Sequence, residues 1–64
     1  MKPAEEIYVR AAELAGCPPG EIFFTDDVRD NVEAARAAGM DAELYTTTAK
    51  LAEQLRERGL QFNY

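Results

Sequence analysis

The segment Ile22-Phe23-Phe24-Thr25-Asp26-Asp27 decides the fold of this chain. Its first four residues are aromatic or β-branched and do not alternate with polar residues, which is typical of a strand covered on both faces in a parallel sheet. Two acids end this run, and a helical segment follows from about Arg29 to Ala38. We therefore predict a buried strand at residues 22–25 that leads directly into a helix.

A helix is also predicted before this strand. Pro3 pre-sets the backbone for a first turn, and apolar residues then recur at helical spacing up to Gly16. Pro18-Pro19-Gly20 forbids continuation and predicts a loop. The apolar residues of this first helix are Ile7, Ala11, Leu14 and Ala15.

The second helix is predicted to end at Gly39, a residue suited to a left-handed stop. Its small residues would let the helix axis approach the sheet closely. They are Val32, Ala34, Ala35 and Ala38.

A weaker strand, Ala42-Glu43-Leu44-Tyr45, and a third helix from Ala49 to Arg58 complete the pattern. Thr47 or Thr48 is a suitable cap for this helix. Its predicted apolar face is Leu51, Ala52 and Leu55, and Leu60, Phe62 and Tyr64 form an apolar tail.

The order helix–strand–helix–strand–helix predicts an α/β fold with a parallel strand pair and a right-handed crossover. Two parallel strands resemble the edge of a larger doubly wound sheet.

Composition excludes several classes of function. The formal charge of −5 argues against nucleic acid or an anionic membrane as the main partner, because both need a basic face. No apolar run approaches a membrane span, and the first residues do not resemble a signal peptide, so we expect a cytoplasmic protein. A single cysteine, Cys17, and the absence of histidine argue against a disulfide or a typical zinc site.

The acidic pair is the candidate functional feature. Ligand sites of open α/β sheets lie beyond the carboxyl ends of the strands, where Asp26 and Asp27 are predicted. Mg²⁺ is the simplest ion to offset two adjacent carboxylates, and Asp30 and Asn31 follow one helical turn later. The alternative is that Asp27 or Asp30 only caps the second helix or complements its dipole as an acid of the first turn.

The remaining charged residues suggest no further site. Lys2, by itself, is typical of a solvated lysine. The arginines of the helices have glutamates nearby and are predicted to be ordinary surface charge. They are Arg10, Arg36, Arg56 and Arg58.

Taken together, the motifs resemble the C-terminal third of haloacid dehalogenase-like (HAD) hydrolases. The resemblance covers Lys2 to about Gly59, and it is strongest to the branch with phosphoglycolate phosphatases, haloacid dehalogenases and the phosphatase domain of soluble epoxide hydrolases. It is carried by Lys2-Pro3, Ile7-Tyr8, Pro18 to Glu21, Ile22 to Asp27 and Asn31 to Met40. It implies that residues 1–64 are part of a Rossmann-like three-layer αβα core domain.

The same resemblance implies roles for individual residues. Lys2 matches the lysine of the family's third motif, which lies beside the nucleophile and the phosphoryl group. Asp27 matches the principal magnesium ligand, and Asp26 matches its partner. Asn31 falls where the family often has a polar residue that supports the metal site.

The family's nucleophilic motif, Asp-x-Asp, does not occur in this sequence. The serine or threonine that holds the phosphoryl group and the cap insert that selects the substrate are also missing. We therefore expect a fragment of a magnesium-dependent hydrolase, most simply a phosphatase acting on a small phosphate ester, that is inactive alone. The alternative is a non-catalytic truncated α/β module that acts by binding or self-association. A response-regulator receiver fits poorly, because such domains are about twice as long and place their acids early.

The exposed strands of a lone two-stranded sheet seek partners. We therefore expect self-association through the sheet edge.

Overall fold

The computed structural model describes residues 3–60 and confirms the predicted order of elements. Lys2, Phe62 and Tyr64 lie outside the described residues. A short 3-10 helix, Pro19–Glu21, occupies the predicted loop. The main elements are helix α1 (Pro3–Ala15), strand β1 (Phe23–Asp26), helix α2 (Arg29–Ala37), strand β2 (Asp41–Leu44) and helix α3 (Thr48–Glu57).

The two strands form a parallel sheet, as the sequence predicts. Phe23 lies opposite Asp41, and the register continues to Asp26 opposite Leu44. Strand β1 begins and ends one residue later than predicted, so that Asp26 is its last residue rather than the first residue beyond it. Strand β2 begins and ends one residue earlier than predicted.

Side chains alternate between the two faces of this sheet. Phe24, Ala42 and Leu44 belong to the apolar cluster with α1 and α2. Phe23 and Asp41 contact Arg58, at the end of α3. The sheet therefore has helices on both faces, in an α/β/α arrangement.

The core lies between α2 and the sheet and is built from small side chains. Ala35 is fully buried, and Val32 is 2% exposed. Because alanine adds little bulk, α2 can lie close to both strands. The buried cluster contains Ala12, Val32, Ala35, Met40 and Ala42.

The predicted apolar face of α1 is wrong. Ile7 is 67% exposed and Leu14 is 77% exposed, and Ala11 and Ala15 are exposed as well. The helix instead turns Ala12 into the core and packs Tyr8 edge-on against Phe24, with ring centroids 5.0 Å apart. This helix has apolar residues on two sides, and spacing alone does not indicate which side meets the sheet.

The prediction for α3 is also wrong in part. Its buried residue is Gln54, whereas Leu51, Ala52 and Leu55 are half-buried. Gln54 donates a hydrogen bond to Oε2 of Glu43 at 3.0 Å. The sheet face below α3 carries acids from β2, and α3 therefore meets it with polar side chains.

Arg58 is not ordinary surface charge, contrary to the prediction. Its guanidinium lies 4.6 Å from the centroid of the Phe23 ring, and its Nη2 donates to Oδ1 of Asp41 at 3.0 Å. Its Nη1 donates to the carbonyl oxygen of Gln54 at 2.8 Å. Arg58 therefore fixes the end of α3 on the acidic face of the sheet.

Both faces of β1 are covered, as predicted, but the strand is less buried than expected. All four residues of β1 are half-buried. A strand with a single neighbour in a two-stranded sheet has nothing beside its other edge, and the described residues supply no third strand.

The predicted stop of α2 and the predicted cap of α3 are confirmed, and the bounds of both helices lie within one residue of the prediction. Gly39 follows α2 with φ of +96°, in the left-handed region. A Cβ at that position would lie 3.4 Å from the Cβ of Pro19, so the chain also passes close to the 3-10 helix there. Thr47 caps α3, because its side chain accepts a hydrogen bond from the Lys50 backbone N–H.

Candidate metal centre

Asp26 closes the turn between β1 and α2. Its Oδ1 accepts a hydrogen bond from the Val28 backbone N–H at 2.8 Å. Val28 is the N-cap residue of α2 and has no side-chain capping bond of its own. The last residue of the strand therefore organises the loop that starts the helix.

Asn31 holds the other oxygen of the same carboxylate. Its Nδ2 donates to Oδ2 of Asp26 at 3.2 Å. The first turn of α2 brings Asn31 back over the end of β1, since residues three positions apart on a helix share one side. The structure thus brings together two of the residues that the sequence singled out.

These bonds favour the ionised carboxylate. The pKa of Asp26 lies below its ordinary value, mainly because of the Val28 backbone N–H and then because of the Asn31 amide; contacts with Asp27 lower it further. Hydrogen bonds to the charged form stabilise that form. Asp26 therefore carries a negative charge at neutral pH and has a fixed orientation.

Asp27 is exposed and follows directly after Asp26. Among residues 3–60, its carboxylate forms no salt bridge, and its side chain contacts that of Asp26. The alternative raised by the sequence holds in part. Neither Asp27 nor Asp30 caps α2, because the N-cap is Val28 and the side chain that bonds to it is Asp26, but Asp30 lies in the first turn, where an acid complements the helix dipole.

The donor chemistry of this corner fits a magnesium ion. Mg²⁺ prefers carboxylate oxygens, keeps several waters, and is commonly held by one or two carboxylates together with substrate phosphate. Asp26 and Asp27 would be those ligands, and the Asn31 amide would orient Asp26. Within residues 3–60, no group of three or more acids, cysteines or histidines gathers as a full protein cage. The pair therefore suits a hydrated ion rather than one enclosed by protein.

A cavity of about 370 Å³ lies elsewhere, between the start of α1 and α2. Neither Asp26 nor Asp27 lines it. Its acidic lining makes it unsuited to a phosphate group, so the acidic pair remains the candidate site. The lining residues are Ala4, Glu5, Asp30, Glu33, Ala34 and Ala37.

The contacts of the arginines are the feature that sequence reasoning missed. Arg36 donates from Nε to the Ala42 carbonyl oxygen at 2.8 Å and from Nη2 to Oε1 of Glu43 at 3.3 Å. No local pattern distinguishes this arginine from Arg10, which only pairs with Glu13 on the surface of α1. The partners of Arg36 belong to strand β2, and the spacing of residues within helix α2 does not indicate which residues of the next strand lie beside it.

Comparison with known proteins shows the family of this chain. The enolase-phosphatase E1 of Azotobacter vinelandii (strain DJ / ATCC BAA-1303) is 61% identical over 33 residues, which are 52% of this chain and 14% of that protein. The chain therefore spans about one seventh of the length of this curated relative. The family model described as HAD-hydrolase-like matches residues 1–63. Since that match covers nearly the whole chain, this protein belongs to the HAD-hydrolase-like family.

Proposed function

We propose that this chain supplies the metal-holding corner of a magnesium-dependent phosphatase that acts on a small phosphate ester. The observation that carries the proposal is Asp26, ionised at the end of β1 and held on both oxygens by Val28 and Asn31. A carboxylate fixed in this way pays little entropy on binding an ion. Asp27 next to it offers a second carboxylate that no salt bridge engages in the described part of the chain.

The division of work among the residues follows from their positions. Asp27 would bind the ion directly, and Asp26 would bind it or orient one of its waters. Asn31 would keep Asp26 in place. When bound, the ion would supply positive charge to phosphate oxygens. Lys2, outside the described residues, would add a second positive charge beside the phosphoryl group.

Phosphoryl transfer is favoured over dehalogenation within the family. Dehalogenation, unlike phosphoryl transfer, does not require a divalent ion, and this chain retains both acids. The name of the relative from Azotobacter vinelandii also denotes a phosphatase. We further propose a cytoplasmic location; none of the described helices is long and apolar enough to cross a membrane.

The 64 residues contain no Asp-x-Asp nucleophile motif. An aspartyl-phosphate route needs that covalent nucleophile. We therefore propose that the chain by itself binds magnesium but does not hydrolyse phosphate esters, and that turnover needs a further polypeptide segment that carries the nucleophile.

Magnesium titration followed by backbone amide NMR tests the metal site. We expect the amide signals of residues 26–31 to shift with MgCl₂, and Asp27→Asn to weaken binding by at least about tenfold. Asn31→Ala should also weaken it by roughly tenfold, as is usual for residues that orient a metal ligand.

Asp30→Asn is the matched control, because it removes an exposed acid of the same helix turn that lies outside the proposed site. Equal loss of affinity in Asp30→Asn and Asp27→Asn would show that only general negative charge attracts the ion. Hydrolysis of p-nitrophenyl phosphate by the wild-type chain, in amounts that depend on magnesium, would contradict the proposed inactivity.

A further inference from the structure

Helix α3 is attached to the sheet in a different way from α2. Helix α2 buries Val32, Ala34 and Ala35 against the strands, and Ala35 is fully buried. The buried residue of α3 is the polar Gln54, and the apolar residues of this helix are only half-buried. Apolar burial therefore holds α2, whereas the attachment of α3 depends largely on polar contacts with the acidic face of β2.

These polar contacts come from the last turn of α3 and the residue that follows it. Arg58 donates to the Asp41 carboxylate from both Nε and Nη2, so the two groups form a two-bond ion pair. The same guanidinium lies over the Phe23 ring of β1. Gln54 donates from Nε2 to Oε2 of Glu43 at 3.0 Å. The end of α3 is therefore fixed to both strands.

Release of α3 would leave neither acid of β2 without compensation. Glu43 keeps Arg36 of α2, whose Nη2 donates to its Oε1 at 3.3 Å. The side chain of Asp41 is 41% exposed, so water can replace Arg58 there. Loss of one partner is severe when it leaves a charge buried and unpaired, and that does not occur here. Opening therefore costs the contacts of α3 without stranding a buried charge.

The rest of the fold is held by other residues. Among residues 3–60, the buried cluster is built from α1, α2, β2 and Met40, and it contains no residue of α3. The Asp26 carboxylate is held by Val28 and Asn31, which also lie outside α3. The core and the candidate metal centre can therefore stay formed without α3 on the sheet.

We propose that these contacts form a polar latch, and that α3 leaves the sheet as one unit when the latch opens. The polar latch consists of Arg58 and Gln54 from the end of α3 and of Asp41 and Glu43 on β2. Helices α1 and α2 and the two strands stay folded in the open form. Elements with few buried apolar contacts open in this way, at a smaller free energy than global unfolding.

Native-state hydrogen exchange of the wild-type chain, measured for each amide by NMR, tests the latch. Relative to the rates of an unfolded chain, we expect the best-protected amides of α3 to exchange at least about tenfold faster than the best-protected amides of α2. If the amides of both helices exchanged with the same free energy of opening, α3 would unfold only together with the core. That result would overturn the proposal.

Val32→Ala separates the opening of α3 from global unfolding. Val32 lies in the core that the closed and the open form share, so the substitution weakens both forms equally. We expect it to speed exchange of the α2 amides about tenfold or more and to leave the α3 amides within about twofold of the wild-type rate. An equal acceleration in both helices would overturn the proposal, because it would show that they unfold together.

Arg58→Met tests the contacts of the latch itself. It removes the two bonds to Asp41 and keeps a long apolar side chain, so exchange in α3 should become about tenfold faster. Arg56→Met, on the exposed side of α3, is the matched control and should change the rate little. Exchange in α3 that is no faster in Arg58→Met than in Arg56→Met would also overturn the proposal. The wild-type and Val32→Ala measurements do not depend on whether the Arg58 variant folds.

Discussion

Val32→Ala perturbs the core that holds α2 against the sheet. Val32 is 2% exposed and packs in the buried cluster with Ala35, Met40 and Ala42. The change removes two carbons, which is worth about 1.6 kcal/mol of lost burial, and a small cavity adds to it. Alanine is the better helix former by up to about 0.7 kcal/mol, so the free energy of unfolding should fall by about 1.5–2 kcal/mol.

This loss is a large part of the total. A chain of 64 residues is expected to have a free energy of unfolding of roughly 3–10 kcal/mol. At about 4–8 °C per kcal/mol for a domain of this size, Tm should fall by about 6–16 °C. The measurement is urea and thermal unfolding followed by circular dichroism, with both proteins at the same concentration because self-association raises apparent stability.

Val28→Ala is the matched control for this prediction. It makes the same chemical change one turn earlier in the chain, at a residue that is 48% exposed, and should cost less than about 0.5 kcal/mol. If Val32→Ala lost no more stability than Val28→Ala, the assignment of the α2 face as the core would be refuted.

Two further substitutions test contacts that position the helices. Arg58→Met should lower stability at neutral pH more than Arg56→Met does on the exposed side of α3, because Arg58 binds Asp41. The hydrogen bond from Arg58 lowers the pKa of Asp41 below 3.8, so this contribution is complete above that value and is lost as the pH falls through the lower folded-state pKa. Chemical unfolding at pH 7 and near pH 2 should therefore show the deficit of Arg58→Met shrinking in acid; a deficit independent of pH would contradict the ion pair. Gly39→Ala should cost about 1 kcal/mol or more in thermal unfolding, because Gly39 has φ of +96° and lies against the 3-10 helix, whereas Gly20→Ala, at a negative φ, should be close to neutral.

The local sequence pattern was sufficient to predict the helices and strands and the position of the candidate site at the end of β1. The position of β1, the stop at Gly39 and the cap at Thr47 depend on neighbouring residues, and the structure confirms them. The acidic pair falls at the end of the strand because the apolar run stops there. Asn31 reaches Asp26 because the two are separated by a single turn and the start of a helix.

Contacts between distant elements needed the tertiary structure. Arg58 and Asp41 are 17 residues apart, and an arginine at the end of a helix has the same local pattern whether it is solvated or paired. Long polar side chains can lie along apolar surface or extend into water, so their burial depends on what lies opposite. The same holds for Gln54, whose burial follows from Glu43 on the sheet face below it.

The sequence by itself determined the order of the elements, the parallel pairing and the place where carboxylates gather. The elements and the strand end depend on neighbouring residues, and the parallel pairing follows from the right-handed crossover of a strand–helix–strand unit. Only the tertiary structure decided which side of α1 meets the sheet, how the Asp26 carboxylate is held, and what Arg36 and Arg58 contact. The physical reason is that these features depend on residues brought together by packing, and burial and hydrogen bonding are properties of the assembled layers rather than of any one segment.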